Sequence, residues 1–208
     1  MSGIGIEISS ETMERVQALL ANIPKGAERA YSNAINRGLS RVKSAAWRNV
    51  KQVYTVQSSA LKDATNTSIE KASTGNLAGF VRFAGYKIPL YKFKVSPKQP
   101  GNKKLVHAAV KKGGGAVFES AFIAAMKNGH TGVFERTGEQ GIQKRLAKTK
   151  TKGGTQHTEK VSELMGLSAA QMVGEETVST QVQEEAQKLV NERLEHEIDR
   201  LLNGGSVK

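Results

Sequence analysis

The sequence predicts an α+β fold: an antiparallel β-sheet packed with long N-terminal and C-terminal helices, plus a flexible basic loop. Three observations carry this. Apolar residues recur at helical spacing over residues 25–53 and again over 176–203. The stretch from Thr67 onward turns to β-type composition punctuated by glycine and proline. Strands and helices do not alternate, so the layout is the segregated one of an α+β domain and not that of a parallel α/β sheet.

Ile4, Ile6 and Ile8 alternate with small or polar residues, which predicts a half-buried first strand. Ser9 or Ser10 then offers an N-cap, with Glu11 in the first turn. Met13, Val16, Leu19 or Leu20, and Ile23 follow at helical spacing, and Pro24 closes that helix or opens the next. The stripe Ala27, Tyr31, Ala34, Leu39, Val42, Ala46, Val50 and Val53 predicts one long helix, rich enough in alanine for a partner to approach closely. Thr55 is placed to cap a short third helix over 56–64.

Residues 77–83 and 105–111 read as strands. Between them Pro89 points to an edge or irregular crossing, and residues 96–101 form a turn or loop. The segment 116–126 is compatible with strand or helix; 133–136 reads as a strand after the turn at 129–132. Gly, Lys, Thr and Gln dominate 138–157, which predicts a mobile hairpin tip or arm. Val161, Leu164, Met165 and Leu167 form an apolar patch, Ser168 caps 169–173, and a long helix follows. Its stripe is Val178, Val182, Ala186, Leu189 or Val190, Leu194, Ile198, Leu201 and Leu202, stopped by Gly204 and Gly205. Val182, Ala186, Leu189, Val190, Leu194, Ile198 and Leu201 are the candidate packing interface. The expected organisation is a helix pair with a β-sheet core over 1–137, a flexible basic loop or arm over 138–158, and a C-terminal helical segment over 159–208 that packs back on the core or on a neighbour.

The chain has 208 residues, 38% hydrophobic and 5% aromatic, which predicts an aliphatic core, thin for the length, that gains order from neighbours. It has no cysteine, so disulfides and thiolate metal sites are excluded. No apolar run is long enough to span a membrane, and the N-terminus lacks the basic and apolar regions of a secretory signal, so the expected compartment is the cytoplasm.

Net charge is +12, and its distribution matters more than its sum. Residues 72–118 contain no Asp or Glu but hold Arg82, Lys87, Lys92, Lys94, Lys98, Lys103, Lys104, Lys111 and Lys112, a block of +9. Residues 175–208 carry eight acidic and four basic residues, a net of −4. A one-signed middle repels itself unless it faces a polyanion or the acidic tail of a neighbour. Tyr86, Tyr91, Phe83 and Phe93 interleave with the lysines as stacking platforms would, although Phe83 and Phe93 suit a core equally. Nothing resembles a base-reading helix or an RNA-stacking motif, so any nucleic-acid contact is expected to be non-specific.

Little points to catalysis, a cofactor or a metal. His107, His130, His157 and His196 are scattered without ligand spacing. Ser120 and His130 lack the glycine pattern of a nucleophile elbow. In the KKGGG of 111–115 the lysines precede the glycines, the reverse of a phosphate loop, and a chain reversal or close packing that needs glycine's φ freedom accounts for it better. The dense carboxylates Glu184, Glu185, Glu192, Glu195, Glu197 and Asp199 read as a solvated helix face.

The most informative segment is KKGGGAVFESAFIAAMKNGHTGVFERT at 111–137. With NAINRGLSRVKSAA from Asn33, YTVQ from Tyr54, IPLYKFKVSPKQPG from Ile88 and ELMGLSAAQMVG from Glu163, it resembles the minor tail protein Z family of long-tailed phages, the tail completion or neck proteins. The positions that carry the resemblance are Pro89, Phe93, Gly113, Gly114, Gly115, Phe122, Met126, Gly129, His130, Gly132, Phe134 and Arg136. The resemblance implies a structural virion protein, without catalytic residue or cofactor, assembled in the host cytoplasm. It implies a homo-oligomeric, hexameric ring at the head-proximal end of the tail that meets other tail or connector proteins and lets the genome pass. Lys98, Lys103, Lys104, Lys111 and Lys112 are then the candidates for DNA-channel or docking contacts. The competing reading is a non-specific nucleic-acid-binding protein acting through the same basic middle.

Overall fold

The computed structural model describes residues 2–144 and 155–203. The chain forms two compact units, one of Met1–Tyr54, Leu61–Tyr86 and Ser168–Lys208, the other of Thr55–Ala60 and Lys87–Leu167. The last helix of the chain lies on the long N-terminal helix, so the two ends share one core.

In the first unit, β1 (Ser2–Ile6), β3 (Gly79–Gly85) and β2 (Thr65–Glu70) form an antiparallel sheet in the order β1-β3-β2, with Ile4 opposite Val81 and Thr67 opposite Phe83. Alternation buries Ile4, Ile6, Val81 and Phe83. Helix α1 (Ser10–Leu19) starts at Ser9, whose Oγ accepts from Thr12 N at 3.3 Å. Helix α2 (Gly26–Val53) has 28 residues, about 42 Å. It buries a face that includes Ala34, Ile35, Leu39, Val42 and Ala46. Near the C-terminus Ser168 caps α4 (Ala169–Val173) through a reciprocal bond with Gln171, and α5 (Glu176–Leu202) follows.

Helices α2 and α5 run antiparallel, since Asn33 meets Glu197 while Asn49 meets Glu185. At Gly38 the two helices pack tightly: a Cβ there would lie 2.4 Å from Val190 Cγ2. Gly38→Val is therefore expected to overpack the seam and cost about 1–3 kcal/mol. A shift of the denaturant midpoint measures it; an unchanged midpoint would mean that α5 slides without cost.

Tyr31 of α2 is fully buried, and its hydroxyl donates to Met13 O at 2.7 Å. Burial pushes the hydroxyl up to about 12, Glu28 adds to the rise and Arg15 opposes it. The neutral form is thus favoured in the folded state. Its contribution is complete below the unfolded value of about 10 and is lost as pH rises through 12. Unfolding measured between those pH values is expected to show a steep fall in stability, and Tyr31→Phe a shallower one.

Helix α3 (Ser58–Asp63) lies where the chain passes between the units. The second unit contains β4 (Lys87–Pro89), a 3-10 turn (Leu90–Lys92), β5 (Lys94–Ser96), β6 (Val106–Ala109), β7 (Ala116–Phe118), β8 (Ala121–Ala125), β9 (Thr131–Lys144), β10 (Thr155–Glu163) and β11 (Met165–Ser168). They build the sheets β5-β6-β7 and β10-β9-β8, both antiparallel, and the pair β11-β4. Leu90, Val95, Val106, Ala108, Ile123 and Val133 form the core. Thr55 does not cap a helix. Its hydroxyl donates to Ala109 O at 2.5 Å and accepts from Lys94 N at 3.1 Å, tying the chain to β5 and β6.

Residues 116–126, open between strand and helix, contain the strands β7 and β8. In the polar stretch 138–157, expected to be a hairpin tip or arm, β9 runs on to Lys144 and β10 begins at Thr155, its partner in the register. Ladder hydrogen bonds use the backbone alone, so a strand pair needs no apolar side chain to continue. The remainder of the expected arm, 145–154, lies outside the described residues.

Candidate docking and channel surfaces

The glycine and Gly-His motifs act first as backbone devices. Gly113, at φ +78, lies in the reversal from β6 to β7, and Gly114 N donates to Lys111 O. Gly129, at φ +83, turns β8 into β9, where Met126 N donates to His130 O and Gly129 N to Met126 O. Gly115 packs beside Ala108 O. Pro89 ends β4, and buried Phe93 lies against Gly166, where a Cβ would come within 2.5 Å of its ring.

The remaining motif residues converge on one face of the β8-β9-β10 sheet. Phe122 and Phe134 stand opposite each other with ring centroids 6.3 Å apart. Arg136 places its guanidinium 5.4 Å from the Phe122 ring centroid, and His130 meets Phe134 edge-on. His130 Nε2 lies 2.8 Å from Glu163 Oε1. Gly132 makes room for that carboxylate, since a Cβ there would fall 2.5 Å from the same oxygen. Glu163 was read from sequence only as the start of a motif phrase; its pairing with His130 across 33 positions was not legible.

The five candidate lysines do not come together. Lys98, Lys103 and Lys104 occupy the loop between β5 and β6, whereas Lys111 and Lys112 occupy the reversal between β6 and β7. All five are exposed. The two groups therefore sit at opposite ends of the four-residue strand β6, about 13 Å of chain. Between them, on the exposed face of β5 and β6, Lys94, Ser96 and His107 line a depression of about 360 Å³ with Gly114, Gly115 and Val117. The signal for this face in the sequence is the alternation of Lys94 and Ser96 with buried Val95, and of His107 with buried Val106 and Ala108.

The acid-free block is also divided. Arg82 belongs to the first unit and pairs with Glu70 at 3.1 Å; the eight lysines belong to the second. The second unit holds sixteen of the chain's 31 Lys and Arg but five of its 19 Asp and Glu, a net of +11 against +12 for the whole.

In the first unit the α5 stripe is buried at Val182, Ala186, Val190, Leu194, Ile198 and Leu201, with Leu189 half-buried. Within their own unit, Glu185 pairs with Arg48 and Glu195 with Arg15. Glu197 departs from the solvated face expected for it: it is 2% exposed, ion-paired to Arg193 at 2.5 Å and Arg200 at 2.7 Å, and accepts from Asn33 at 3.2 Å. The α2 seam is wide enough to cover that position, and the arginines three and four residues away on α5 neutralise it.

Among the described residues no group of three or more His, Asp or Glu gathers as a metal site would, and no helix is long and apolar enough to cross a membrane. The model of the prophage minor tail protein Z (GPZ) family matches residues 13–204. The chain belongs to that family. No curated protein and no solved structure matches it. As a minor tail protein Z it is a structural protein of a phage tail and works among other tail components. The match runs from within α1 to the end of α5, so both units belong to the family pattern.

Proposed function

We propose that this minor tail protein Z forms a closed sixfold ring at the head-proximal end of the tail, completes the tail, joins it to the head and lets the genome pass. The observation that carries this reading is the charge of the second unit, +11 within a chain of +12. A surface of one sign is stable beside a polyanion or an acidic partner. A ring round the genome path offers the first and the adjoining connector the second. Closed cyclic symmetry lets identical subunits satisfy complementary patches. Imaging of assembled tails carrying a label on this chain tests the proposal. A closed ring at the head-proximal end is the expected result; a single copy, or a position elsewhere on the tail, overturns it.

The same charge supports a second reading, non-specific nucleic-acid binding through the basic unit. That reading expects the isolated chain to bind duplex DNA with an affinity that falls steeply and linearly in log salt.

A further inference from the structure

The first unit contains a groove that its own packing does not explain. It lies between α2 and α5, has a volume of about 540 Å³, and is lined by Arg37, Arg193, Arg200 and Glu197 with Asn33 and Ser40. Three arginines face one carboxylate, a local excess of two positive charges. The carboxylate is consumed, since buried Glu197 bonds both Arg193 and Arg200 and so fixes their guanidinium planes at the groove wall. One cation there is unspent. Arg37 is exposed and has no ion pair among the described residues. Prepositioned guanidinium groups of this kind bind carboxylates through charge-assisted, bidentate hydrogen bonds.

The same unit carries the complementary chemistry. On the exposed face of α5, Glu184 and Glu192 border a shallow surface with Gln183, Gln187, Asn191 and Lys188, which stands four residues from each carboxylate and leaves the patch a net charge of −1. Neither carboxylate has an ion-pair partner among the described residues, unlike Glu185, Glu195 and Glu197 on the same helix. The groove runs between positions 33–40 of α2 and 193–200 of α5, whereas the acidic surface is formed by positions 183–192 on the outward face of α5. One copy therefore cannot close the contact on itself. A donor patch and an acceptor patch on different faces make a heterologous interface, the kind that closes into a ring when repeated.

We propose that the arginine-lined groove of one protomer receives Glu184 and Glu192 of a second copy. This rests on the ring reading and names the contact that would build it. A phosphodiester backbone is the weaker candidate for the groove. The first unit is nearly neutral, and Glu195 and Asp199 stand exposed on the same turns of α5, whereas DNA binding favours an extended field of one sign.

The chain has no cysteine of its own, so an engineered pair reports on one contact alone. In assembled tails, Arg37→Cys with Glu184→Cys is expected to give, on mild oxidation, a ladder of covalent multimers that neither single variant gives. In parallel, Arg37→Glu is expected to lower the assembled fraction at least tenfold, and addition of Glu184→Arg and Glu192→Arg to restore it, with circular dichroism checking that each variant folds. A visible ring with no ladder and full assembly of Arg37→Glu overturns this contact and leaves the ring reading standing. Absence of any ring overturns both. Assembly lost in Arg37→Glu, with neither ladder nor rescue, assigns the groove to another protein's carboxylates. Weakened DNA binding by Arg37→Glu with intact assembly assigns it to phosphate. Both of these last results overturn the second-copy proposal.

Discussion

Leu194→Asp is expected to unfold the helical unit and abolish incorporation into tails. Leu194 is 1% exposed, in the stripe that α5 lays against α2. An aspartate there loses the apolar contact and leaves a buried carboxylate with no positive partner in the stripe, where Val190 and Ile198 are its helical neighbours. Removing compensation from a buried charge costs about 3–5 kcal/mol, and a domain of this size has about 5–15 kcal/mol in total. Leu189→Asp is the matched control: that residue is half-buried and is expected to cost about 1 kcal/mol. Denaturant midpoints of the two variants, with particle assembly scored beside them, test the packing directly. Equal midpoints for Leu194→Asp and the unaltered chain would mean that α5 is not seated on α2.

The second large effect is expected from the lysines, and it separates by position. Lys111→Gln with Lys112→Gln removes the group beside the positive-φ Gly113 reversal. Tails carrying it are expected to join heads normally but to leak genome or lose infectivity. Lys98→Gln, Lys103→Gln and Lys104→Gln remove the group at the other end of β6 and are expected to impair joining instead. Exposed lysines contribute little to folding, so stability should remain within about 0.5 kcal/mol. If the first pair contacts phosphate, the slope of log affinity against log salt should fall by about 2. Lost joining with normal genome retention would move Lys111 and Lys112 to the docking interface. No effect on either would make them ordinary surface charges.

What was legible in the sequence is what local chemistry settles. Ser9 and Ser168 were readable as helix caps because a short side-chain oxygen before an apolar period answers a local need for an acceptor. The stripes of α2 and α5 were readable because a buried helix face repeats every few residues. Gly113 and Gly129 were readable as reversals because positive φ is inexpensive for glycine alone. The family phrase was readable because its residues stand in a fixed order. Polar strands were harder: β9 and β10 continue through Gly, Thr and Gln, whose side chains give no alternation to read.

By itself, then, the sequence determined the segregated α+β layout, the helices with their caps, the glycine turns, the total charge and the family. Tertiary structure alone decided which distant residues share a surface. It seated the end of the chain on its beginning, moved Arg82 out of the basic block to Glu70, divided the five lysines between two ends of β6, and buried Glu197 between Arg193 and Arg200. The physical reason is the reach of the interactions. Caps, turns and helical periods are set within a few residues of chain, whereas burial depends on which segments meet: α5 is covered by α2, more than a hundred residues earlier, and Arg82 meets Glu70 because β3 pairs with β2.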